Sequence, residues 1–112
     1  MKQPSIDALE KVEKLDYKFS FTGKDIVAVS NYIASNTIKS RQNVGGETIE
    51  SEICQISELD YSIFGLHLGI TELDGQKVTD ENFDELLWSV CENPLVIRLL
   101  YYDMYGKALK KK

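Results

Sequence analysis

The longest patterned stretch of the chain runs from residue 47 to residue 68. Ile49, Ile53, Ile56, Leu59, Ile63 and Leu66, with His67 beside the last, recur at intervals of three and four. Glu50, Glu52, Gln55 and Glu58 fall largely on the opposite side. That spacing predicts a single amphipathic helix of about five turns, apolar on one face and anionic on the other. Gly65 and Gly69 fall in its final turns, where a helical glycine costs about 1 kcal/mol relative to alanine. Those turns are therefore expected to be tightly packed or broken.

Other segments carry shorter patterns. Ala8, Val12 and Leu15, with Leu9, lie at helical spacing behind Ser5 as a candidate cap, and Asp7 and Glu10 suit the start of a helix. Residues 1–15 are expected to form a short helix or an arm. Tyr17, Phe19 and Phe21 alternate with polar residues, the period of a half-buried strand, and Thr22-Gly23-Lys24-Asp25 supplies a turn. Ile26, Val29 and Ile33 fit a helical stripe that Asp25 could cap, although their β-branched neighbours also fit a strand. Residues 39–46 contain one apolar side chain, Val44, and end in Gly45-Gly46, which predicts a loop. Asp74-Gly75 marks a turn. Thr79 then precedes a helix whose inner face would be Phe83, Leu86, Leu87 and Val90. Asn93-Pro94 restarts the chain as cap and first helical residue. Leu95 to Tyr102 is almost wholly apolar, so periodicity cannot choose between a core helix and a buried strand, and Gly106 is expected to close the segment.

Charge divides the chain more sharply than hydropathy does. Of 112 residues, residues 1–43 hold seven basic and five acidic side chains, residues 44–93 hold twelve acidic and only Lys77 basic, and residues 94–112 hold five basic and one acidic. The strongly acidic centre repels phosphate and argues against a nucleic-acid partner. The terminal Lys110, Lys111 and Lys112 form a basic tail. No apolar run approaches the ~18 residues of a membrane span, and the first five residues lack the apolar core of a signal peptide. A cytoplasm, the cell's own or that of an infected host, is the expected setting. Cys54 and Cys91, each among apolar neighbours, are expected to be buried thiols, with a single bridge as the alternative.

Little in the sequence supports catalysis. His67 is the single histidine, and no local arrangement supplies it with a nucleophile. Cys54 and Cys91 lie far apart without CxxC or HxxxH spacing, which excludes a recognisable metal site. The carboxylates Asp80, Glu81, Asp84, Glu85 and Glu92 lack the alternation of a calcium loop. Neither Gly45-Gly46 nor Gly23-Lys24 fits a phosphate loop. No cofactor is implied. The remaining candidates are Trp88, Tyr101, Tyr102, Met104 and Tyr105, a concentration of aromatic and thioether side chains of the kind that marks a protein interface.

The layout over residues 17–105 resembles small tail-assembly proteins of bacteriophages, such as tail assembly chaperones. The resemblance lies in an N-terminal β segment, a long helix, the turn Ile70-x-x-Leu73-Asp74-Gly75-x-x-Val78, and two following helices rich in Leu and Tyr (83–90 and 95–105). It implies a non-enzymatic protein that binds other tail proteins, and it carries over no functional residue. The same turn, with 83–90 as a binding helix and 96–101 as a last strand, also looks like part of a PDZ domain, which would bind peptide C-termini. The expected fold is α+β and mostly helical: a short N-terminal β segment followed by a small helical bundle, with 16–109 as one globular domain and 110–112 as a tail. The expected function is protein–protein interaction or assembly, self-association included. The helical body and the tail-assembly resemblance both lean on an unbroken helix over 47–68.

Overall fold

The computed structural model describes residues 4–110, with side chains from residue 6 onward. Over these residues the fold is α+β and mostly helical. Five helices, α1 (Pro4–Lys14), α2 (Gly23–Ser35), α3 (Glu58–Gly69), α4 (Phe83–Cys91) and α5 (Pro94–Lys110), accompany two small antiparallel sheets. One sheet has strand order β1-β4-β5, from β1 (Tyr17–Phe19), β4 (Ile70–Leu73) and β5 (Gln76–Lys77). The other is a hairpin of β2 (Thr37–Val44) and β3 (Glu47–Cys54).

The apolar stretch after Pro94 is a helix, and it is the centre of the molecule. Val96, Ile97, Leu100 and Met104 have no solvent exposure, and Tyr101 and Ala108 join them on the buried stripe. The segment is apolar but for Arg98, and α1, α3 and α4 all pack on this helix. Asn93 caps it as expected, its Oδ1 accepting from the Val96 N–H at 3.0 Å. Gly106 does not close it. The helix runs through that residue to Lys110, and Ala108, one turn beyond Met104, continues the buried stripe.

Close approach explains the two glycines of α3. A Cβ on Gly65 would sit 2.2 Å from Cε1 of Tyr101, and one on Gly69 would sit 2.7 Å from Cδ1 of Phe21. Glycine at these positions lets α3 lie directly against α5 and the strand-to-helix corner at Phe21. Ser62, also without exposure, satisfies its hydroxyl by donating to the Glu58 carbonyl at 2.7 Å.

Around this centre the shorter patterns fall into place. α1 buries Ala8 and Val12, and α4 buries Phe83, Leu86 and Leu87. Ser5 lies inside α1 rather than ahead of it, and its side chain is outside the described ones. Asp25 closes a capping box on α2, accepting from the Thr22 N–H at 2.8 Å. Thr79 bonds reciprocally with Asn82, so it caps a turn that leads into α4 rather than α4 itself. Asp74 and Gly75, with φ of 53° and 79°, form the tight turn between β4 and β5. Lys111 and Lys112 of the expected basic tail lie outside the described residues. No described helix is long and apolar enough to cross a membrane.

The expected helix over 47–68 is the main correction. Residues 47–54 are extended, residues 55–57 turn, and only α3 is helical. The expected loop over 39–46 is also wrong, since its first residues belong to β2. Gly45 and Gly46, with φ of 60° and 85°, make the two-residue turn that folds β3 back on β2. The apolar spacing was ambiguous for a simple reason. Ile49 and Ile53 are four apart, which puts them on one face of a helix and equally on one face of a strand.

Candidate interaction surface

The five residues singled out for partner binding do not share one surface. Tyr101 and Met104 are core side chains, Tyr105 is half-buried, and only Trp88 and Tyr102, about 40% exposed, face solvent. The segment is rich in aromatics mainly because it fills the interior. Tyr101 packs against Phe21, Tyr61, Tyr102 and Tyr105 with ring centroids 5.4–6.2 Å apart. Burial pushes the Tyr101 phenol up to about 12. At its rim Tyr61 and Tyr102 share a hydroxyl hydrogen bond of 2.6 Å, and Tyr102 donates to Glu58 Oε1 at 2.7 Å. Partial burial, then these two bonds, hold the Tyr102 phenol above the usual tyrosine range. Tyr61 and Tyr102 are thus hydrogen-bonded struts between α3 and α5.

His67 lies beside carboxylates in an open cleft of about 300 Å³ that also holds Tyr32, Asp60, Asp80 and Asp84. Its Nε2 is 3.0 Å from Asp80 Oδ1, and its ring stacks on Phe83 at 4.5 Å. A histidine beside a carboxylate is half of a nucleophilic apparatus. The lining offers no serine, threonine, cysteine or lysine for the pair to activate, and Tyr32 is stacked on Phe64 at 4.2 Å. Among the described residues, no group of three or more His, Cys, Asp or Glu side chains is placed to hold a metal ion. Both cysteines are free; Cys91 is buried as expected, but Cys54, at the foot of the hairpin, is exposed.

The surface that sequence reasoning missed is the hairpin. Every residue of β3 is exposed, and in β2 only Thr37 and Ser40 are partly covered. Register separates its two faces. On one, Ile38 opposes Ile53, Ser40 opposes Ser51, Gln42 opposes Ile49, and Val44 opposes Glu47. Ile38, Val44, Ile49 and Ile53 are 47–57% exposed there. On the other face Lys39 opposes Glu52 at 3.9 Å and Arg41 opposes Glu50 at 3.0 Å. Basic groups occupy only β2 and acidic groups only β3. Two signals in the sequence pointed here: a Gly-Gly pair, and on either side of it charges two residues apart, Lys39 with Arg41 and Glu50 with Glu52.

A two-stranded ribbon is marginal in water unless something packs on it. Among the described residues neither β2 nor β3 has a further strand beside it. The apolar face and both strand edges are therefore open. Comparison with known proteins adds no relative: no family model, curated protein or solved structure matches the chain significantly.

Proposed function

We propose that this chain is a non-enzymatic protein-interaction or assembly factor and that the β2–β3 hairpin is its working surface. The observation that carries this reading is the uncovered hairpin, which exposes four large aliphatic side chains on one face. An exposed apolar ribbon with open edges is an aggregation liability unless a partner uses it. Trp88 and Tyr102 add exposed aromatic surface but lack such an arrangement. A PDZ-like peptide-binding role fits less well, because it implies a fold dominated by strands. The narrower reading, phage tail morphogenesis, is supported by the turn at Ile70–Val78 and the two helices after it. It is weakened by the loss of the long helix that the resemblance included. A cytoplasmic setting is part of the same proposal and is supported by the free, exposed Cys54 thiol, which suits a reducing compartment.

The test is a photo-crosslinking amino acid in place of Ile49, in the cell that makes the chain. Discrete covalent adducts with protein are expected from that position. The same probe in place of Leu109, a comparably exposed aliphatic residue on α5, should give none. Silence at position 49, or equal labelling from both positions, overturns the reading.

A further inference from the structure

The hairpin's ladder shows which backbone groups remain available. Just below the strands the Gln55 N–H donates to the Asn36 carbonyl at 2.7 Å. Bonded and non-bonded pairs alternate along an antiparallel ladder. Counting up from 36/55, the pairs 38/53, 40/51, 42/49 and 44/47 bond within the hairpin. The N–H and C=O groups of Thr48, Glu50 and Glu52 therefore point outward from β3, and those of Lys39, Arg41 and Asn43 point outward from β2.

Resting on the assembly reading above, we infer that the outer edge of β3 binds, by strand addition, an extended segment of another protein in which basic residues alternate with aliphatic ones. Such a strand would bond to the backbone of Thr48, Glu50 and Glu52. Its basic side chains would lie beside Glu50 and Glu52, and its aliphatic ones would extend the apolar face beside Ile49 and Ile53. The pattern is dictated by register, because side chains on adjacent strands share a face. The acidic stretch 44–93, with twelve acidic side chains against one basic, steers a basic segment toward this edge. The β2 edge is the poorer acceptor, since Lys39 and Arg41 are the kind of charge that blocks strand pairing.

A second copy of the chain is the obvious rival, because β2 itself carries Lys39 and Arg41 on one face and Ile38 and Val44 on the other. Geometry argues against it. Pairing β3 with another copy's β2 in the hairpin's own register would place the two copies about 10 Å apart, two strand spacings. The molecule measures 59 × 40 × 30 Å, so their bodies would collide. A two-fold pair centred on Glu50 or Ser51 of β3, or on Ser40 or Arg41 of β2, relieves the crowding but sets glutamate against glutamate, or the basic side chains against each other.

The test uses the full chain and a short synthetic peptide alternating lysine with valine, with an alternating glutamate–valine peptide as the control. Hydrogen exchange followed by NMR should show that the amides of Thr48, Glu50 and Glu52 become protected when the lysine peptide binds, and remain unprotected with the control. Glu50→Pro removes one outward N–H and leaves the hairpin's own bonds intact, so it should weaken binding about tenfold or more. Glu50→Gln keeps the N–H and should weaken it less. Because no buried residue lies in the hairpin, these variants keep the core, and unchanged α5 exchange verifies that. Three results overturn the inference: no protection at those amides, equal binding of the acidic peptide, or protection by self-association without any peptide. If the peptide fails while crosslinks from position 49 persist, the occupant assigned here is wrong and the assembly reading stands. If both fail, the hairpin is not an interaction surface.

Discussion

The molecule holds two regions built on opposite principles. Around α5 the inner side chains are enclosed, and Gly65 and Gly69 sit where α3 touches α5 and Phe21. In the hairpin, eight-residue strands pair only with each other among the described residues, and their aliphatic side chains stay in water. The first region carries the stability of the fold. The second contributes little to it and therefore needs another reason to exist. Separating the two also separates residues conserving the fold from residues available for partners, although both kinds include isoleucine and tyrosine.

The comparison predicts its largest contrast in the aliphatic residues. Leu100→Ala empties a site with no solvent exposure and should lower the unfolding free energy by about 2–5 kcal/mol. Ile49→Ala, at a half-exposed site, should change it by less than about 0.5 kcal/mol. Urea unfolding of the two variants measures both. Similar losses would mean that the hairpin belongs to the cooperative core.

Glycines sharpen the contrast by one step. Gly65→Ala drives a methyl group into the Tyr101 ring and should cost about 1–3 kcal/mol of global stability, despite alanine's better helix propensity. Gly46→Ala meets no atom within 4 Å but must hold φ near +85°. Its cost, about 1–2 kcal/mol, falls on the turn. It should speed hydrogen exchange of the hairpin amides and leave those of α5 unchanged.

These contrasts also show what the sequence could and could not reveal. α1, α4 and the turn at Asp74-Gly75 were legible because each has a one-sided apolar pattern or a specific turn pair, whereas α2 stayed open between helix and strand because its stripe of Ile26, Val29 and Ile33 is β-branched. Leu95 to Tyr102 was not, because a helix covered from more than one side loses its polar face. Residues 47–54 misled because Ile49 and Ile53 suit either period. The deciding information lay in Gly45-Gly46 and in the opposite charges at 39, 41, 50 and 52, which make sense only across a ladder. Aromatic and thioether side chains suit an interface and a core equally, and here the core claims Tyr101 and Met104. No local property of a tyrosine distinguishes a strut from an anchor.

Titration gives a smaller effect, confined to alkaline solution. Burial pushes the Cys91 thiol up to about 11 from 9.0, and the Tyr101 phenol up to about 12 from 10.0. Both groups stay protonated longer in the folded chain than in the unfolded one. Their contribution to stability is therefore complete below about pH 9 and is lost as pH rises toward 12. Urea midpoints should be flat through neutral pH with respect to these groups and fall above it. At neutral pH a thiol reagent should label Cys54 promptly and Cys91 only as the protein opens.

The smallest expected effect tests the division most severely. Lys39 and Arg41 pair with Glu52 and Glu50, yet all four side chains are 66–82% exposed. Water and salt screen such pairs, and ordering two long side chains offsets much of the attraction. Arg41→Gln should therefore leave the urea midpoint unchanged within error. It also leaves Glu50 without its partner, so the free hairpin becomes more acidic and β3 more attractive to a basic strand. Under the strand-addition inference, the lysine–valine peptide should bind this variant at least as tightly as the parent chain. A fall in global stability would show that charge pairs in the ribbon support the core. Weaker peptide binding would show that Arg41, and not the acidic edge, makes the contact.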